Sequence, residues 1–146
     1  MIPGLLLIAW IHCLLLASLL GWALRRFEGD RTFLRQQVWR ATLIAVAALH
    51  APAVADALFG RRAWLYWNVA LQMPMWTRAA GLVVRYALCF SVHWIVFRTC
   101  LYDASGVPLS GRSSLWIAGL STLLVLVMEL FGLALLVLVL TTIRGP

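Results

Sequence analysis

Five ionisable side chains interrupt apolar runs of this chain: His12 in LIAWIHCLLLASLL, His50 in AALHAPAVAD, Arg85 and His93 in LVVRYALCFSVHWIVF, and Glu129 in LLVLVMELFG. Residues of these types support three kinds of chemistry. Neutral imidazoles from two helices can ligate a haem iron from opposite sides, with Arg85 pairing a propionate, and the same setting suits a quinone. A carboxylate among imidazoles can hand protons along, here through His50, Glu129 and Asp56. The third use is structural, since polar groups facing one another between helices fix their register through hydrogen bonds.

The elements that must position these groups are membrane-spanning helices. At 146 residues, 64% hydrophobic and with a mean hydropathy of +0.94, the chain is far more apolar than a soluble domain. Crossing the hydrocarbon core takes about 20 residues of helix, and four runs qualify, at 4–24, 41–60, 79–98 and 115–141. The expected fold is an all-α integral membrane protein, a single polytopic domain over 1–146 with four helices in a bundle. The apolar run at the start lacks a basic leader and exceeds a signal core, so it is expected to remain as a helix.

With ~1.5 Å of rise per residue, His12 lies ~18 Å, His50 ~15 Å, Arg85 ~20 Å and Glu129 ~21 Å from the same end of their spans. All four are then central in a core about 30 Å thick, one from each helix. Charge on a lipid-facing surface at that depth costs about 2.5–3.5 kcal/mol, so Arg85 and Glu129 are expected to turn inward and form a structural ion pair. His93, about a turn from the end of the third run, is a third candidate haem ligand. Pro52 is expected to disturb the second helix beside His50.

All twelve basic residues are arginine. They punctuate the apolar runs instead of forming one basic face with aromatic partners, which points to headgroup anchors and away from nucleic acid. Arg25, Arg26, Arg31, Arg35 and Arg40 crowd the first connection and Arg98 and Arg112 flank the third, against Arg61, Arg62 and Arg78 in the second and Arg144 in the tail. The bias places the first and third connections in the cytoplasm. Trp64, Tyr66, Trp67 and Trp76 sit between arginines in the second connection, the pattern of a short interfacial helix, here ended by Pro74, that can also contact a partner. Asp56 is shallow enough to pair with Arg61 or Arg62. Gly106 and Pro108 mark a turn in the third connection, and Ser113 or Ser114 is expected to cap the last helix.

No triad, nucleotide loop or zinc spacing occurs, Cys13, Cys89 and Cys100 lack C-x-x-C spacing, and Met73 and Met75 lack a third soft ligand for copper. The chain therefore reads as having no catalytic activity of its own and no metal site beyond a possible haem. The position of His12 within WIHCLLLASLLGW, in a chain of this length, is similar to the membrane-embedded protoporphyrinogen oxidases of the HemJ type, and the resemblance covers that first helix. The expected function is a membrane subunit or assembly factor of a larger complex in a bacterial inner membrane, with the lipid bilayer and other membrane subunits as partners. A subunit binding b-type haem or quinone and taking part in electron transport is the alternative, and a component of a proton or ion transporter is another.

Overall fold

The computed structural model describes residues 2–29, 31–59 and 74–144. Four helices account for nearly all of them: α1 (Ile2–Glu28), α2 (Arg35–Phe59), α3 (Met75–Cys100) and α4 (Gly111–Arg144). Among the described residues there is no strand, only isolated bridges between Phe33 and Asp103 and between Tyr102 and Pro108. Among the described residues three segments are long and apolar enough to cross a membrane, Leu6–Glu28, Ala79–Cys100 and Gly111–Thr142. The chain is a helical membrane protein on that basis. Trp64, Tyr66 and Trp67, and with them the expected interfacial helix, lie outside the described residues, as do Arg61, Arg62 and Met73. Trp76 falls in the first turn of α3.

Each helix outruns its apolar stretch. With 27, 25, 26 and 34 residues, the helices extend about 40, 38, 39 and 51 Å, more than a hydrocarbon core of about 30 Å requires. Arginine and glutamine are good helix formers, so α1 continues through Arg25 and Arg26 and α2 begins at Arg35. α2 also runs through Pro52 without a break in the helix. The final helix starts earlier than expected, because Ser110 takes the N-cap: its hydroxyl accepts the Ser113 N–H at 3.1 Å, and its carbonyl accepts the Ser114 N–H at 2.9 Å. Ser113 and Ser114 lie inside the first turn.

Helix neighbours form a closed ring, α1 beside α2, α2 beside α3, α3 beside α4 and α4 beside α1. The connections 29–34 and 101–110 meet at one end. There the Ala104 N–H donates to the Thr32 carbonyl at 2.9 Å, and Arg31 ties the two together. The C-terminal ends of α1 and α3 and the N-terminal ends of α2 and α4 therefore share that end. The core lies near it and follows helical spacing. Leu16, Leu20 and Leu24 line α1, Ala41 and Ala45 line α2, Val96 and Phe97 line α3, and Ile117 lines α4. Small residues on α2 let its backbone approach its neighbours.

Candidate functional site

The ionisable groups of the apolar helices form three polar clusters. In the first, His12 Nδ1 and His50 Nε2 are 3.2 Å apart, joining α1 to α2. The rings meet edge to face with centroids 5.4 Å apart. One nitrogen of this contact must donate and the other accept, so at least one of the two imidazoles is neutral. His12 is buried, and its Nε2 has no hydrogen-bond partner.

The second cluster joins α3 to α4. Arg85 Nη2 pairs with Glu129 Oε1, and the Tyr86 hydroxyl donates to Glu129 Oε2 at 2.8 Å. The pair does not turn inward as expected. The Arg85 side chain is 59% exposed and that of Glu129 34%. The reason lies along the helix: Arg85 shares a face with Cys89, four residues on, but beyond Cys89 on α3 and Ser121 on α4 none of the described side chains is buried.

His93 is the centre of the third cluster. It is fully buried and stacks on Phe97 with ring centroids 5.5 Å apart. Its Nδ1 faces Cys89 Sγ at 3.7 Å and Thr122 Oγ1 at 3.5 Å. The Thr122 hydroxyl donates to the Ala118 carbonyl at 2.9 Å, so its remaining lone pairs point toward the imidazole. His93 Nε2 is buried without a partner. Nearer the loops, Trp94 Nε1 donates to Ser114 Oγ at 3.2 Å, extending the polar seam along α3 and α4.

This arrangement changes the expected ligand set. His12 and His50 spend facing nitrogens on each other at 3.2 Å. Two axial bonds of about 2 Å each would need a wider gap with room for a macrocycle. The imidazole nitrogens left buried and open are Nε2 of His12 and Nε2 of His93. Among the described residues no group of three or more His, Cys, Asp or Glu side chains could hold a metal ion. Asp56 falls within α2, and the description of its side chain lies outside the described residues.

Sequence reasoning missed the tie at the loop end. Arg31 Nε donates to Asp103 Oδ2 at 2.9 Å, Nη1 pairs with Glu28, and Nη2 donates to the carbonyls of Val107 at 2.9 Å and Pro108 at 3.2 Å. The guanidinium also sits over the Phe33 ring, 5.5 Å from its centroid. Asp103 in turn accepts from the Ser105 hydroxyl at 2.6 Å and the Val107 N–H at 2.8 Å. The Ser105 hydroxyl first, then the Val107 N–H and Arg31, hold its carboxyl down at about 2, below the ordinary 3.8. No local pattern announces a pair separated by 72 residues. Tyr86 was within reach, because its spacing from Cys89 and His93 marks it as a member of their face.

Comparison with protein family models, curated proteins and solved structures finds no match to this chain, and the likeness of its first helix to the HemJ-type oxidases gains no support from them.

Proposed function

We propose that the chain is a four-span protein of a bacterial inner membrane, with α2 as the fourth span, acting as a membrane subunit or assembly factor of a larger complex. The observation that carries this reading is the outward position of the Arg85–Glu129 pair. A 59% exposed arginine side chain in the middle of an apolar helix is costly against lipid and favourable against a polar partner. The neighbouring turns on that side are apolar, with Leu82 and Leu88 three residues either side of Arg85 and Leu133 four residues after Glu129 all exposed. In this reading the His12–His50 and His93 clusters organise the bundle, and the ion pair addresses its partner. Crossing by α2 is supported by its place between α1 and α3 and by the shared end of the two connections.

The test is extraction from native membranes in mild detergent followed by native electrophoresis. The wild type is expected in an assembly well above its own 16.3 kDa. Arg85→Leu/Glu129→Leu, which removes both charges together, should leave that assembly while keeping its own melting temperature. Migration of the wild type as a lone chain would overturn the reading.

A second reading, binding of b-type haem, is favoured by one observation, the buried Nε2 atoms of His12 and His93 that have no hydrogen-bond partner. Haem held there would supply one-electron chemistry, and the chain would contribute the two imidazoles. An absorption spectrum of purified protein from haem-replete cells, oxidised and then reduced, separates the readings. A haem band lost in both His12→Ala and His93→Ala supports this one, and colourless wild type removes it.

A further inference from the structure

A groove of about 580 Å3 runs between α1 and α2 at the end where the connections meet. Its walls are Leu14, Ala17, Gly21 and Leu24 of α1 and Val38 of α2. Ser18 adds no free donor, since its hydroxyl is folded back onto the Leu14 carbonyl at 2.8 Å. A Cβ built on Gly21 meets nothing within 4 Å, so the glycine leaves room in the groove. Arg25, Arg35 and the half-buried Trp39 also line it. Arg31 is there too, but its donors are taken by Glu28, Asp103 and two carbonyls. Among the described residues neither Arg25 nor Arg35 has a carboxylate partner.

We infer that this groove holds an anionic phospholipid, with its phosphate between Arg25 and Arg35 and one acyl chain along the wall of α1. Three observations agree on that occupant. From Leu14 to Arg25 the wall rises ~16 Å, about half of a ~30 Å hydrocarbon core and so the reach of one leaflet's acyl chain. Two guanidiniums with no carboxylate partner among the described residues supply the forked donors that match a phosphate. Trp39, whose indole suits the headgroup layer, lines the groove one turn from Arg35. Leu14, Ser18 and Arg25 are exposed, so the groove opens sideways and a lipid can enter from the bilayer. The inference rests on α1 spanning the membrane and is independent of the subunit role.

The test is native mass spectrometry of the purified full chain equilibrated in mixed micelles of phosphatidylglycerol and phosphatidylcholine with matched chains. The wild type should retain phosphatidylglycerol preferentially. Arg25→Gln/Arg35→Gln should lower that retention about 30-fold, as expected for two arginines at a lipid surface. Gly21→Leu, which fills the groove and leaves every charge in place, should lower retention of both lipids. Arg40→Gln/Arg112→Gln removes the same charge away from the groove and should leave the preference intact. Melting temperatures identify any variant that has lost its fold, and Gly21→Leu and the charge pair probe the site separately. Equal retention of both lipids by the wild type, equal loss in the two charge variants, or full competition by millimolar glycerophosphoglycerol would overturn the inference. Each can be read whether or not the chain assembles with partners.

Discussion

The two ends of the bundle are built differently. Toward the connections 29–34 and 101–110, every helix contributes a buried stripe that meets its neighbours. Beyond His12, Val46, Cys89 and Ser121, in the other direction, none of the described side chains is buried. Hydropathy does not separate the halves, because the far half of α4 is the more apolar. In lipid an apolar side chain gains little by leaving the hydrocarbon, so packing follows small residues, interhelical hydrogen bonds and ties at the aqueous boundary. The near half has all three. The polar clusters stand at the border between the two regimes.

The largest expected effect separates the halves directly. Phe97 is 0% exposed and Phe131 66%. Phe97→Ala should cost about 3–5 kcal/mol, whereas Phe131→Ala should stay within about 0.5 kcal/mol. Reversible unfolding in mixed micelles measures both, and equal losses would erase the distinction.

Next comes the border. His50→Leu leaves the buried His12 Nδ1 without its partner and should cost about 1–3 kcal/mol. His12→Phe/His50→Leu should regain much of that loss, because no polar nitrogen is then stranded. Additive losses in this double-mutant cycle would remove the His12–His50 contact from the account.

At the start of α4, Ser110→Ala should cost about 1 kcal/mol through the lost cap, and Ser110→Gly only a few tenths. The far half offers a control, since Thr141→Ala removes only a hydroxyl bonded to its own helix at an exposed site. A loss there as large as at Ser110 would show that the cap is not what holds this end.

The smallest effect at neutral pH is in the tie between connections, where it becomes visible in acid. The folded Asp103 carboxyl titrates at about 2 against an ordinary 3.8. Its lowered value means that the stabilisation is present above the ordinary value and is lost as pH falls through the folded one. The melting temperature of the wild type should therefore drop between about pH 4 and pH 2, and that of Asp103→Asn should drop less. Parallel curves would show that Asp103 does not stabilise the near end.

The sequence by itself determined that the chain is helical and apolar enough to be a membrane protein, where three of its long apolar helices run, and which ionisable residues interrupt its apolar runs and so need partners. Those follow from composition and from the local cost of placing charge in hydrocarbon, which any stretch of about 20 residues reveals. Helix ends were less legible, since arginine and glutamine carry helix beyond the lipid and Ser110 caps earlier than Ser113. The tertiary structure alone decided the pairings. His12 turns to His50 while His93 turns to Cys89 and Thr122, Arg85 meets Glu129 on an outward face, and Arg31 reaches Asp103 across two intervening helices. Depth along a helix can be counted from sequence, but the direction of a side chain around its axis depends on which neighbour packs against it. Arg85 shares the Cys89 face of α3, and its exposure follows from the end of close packing just beyond Cys89.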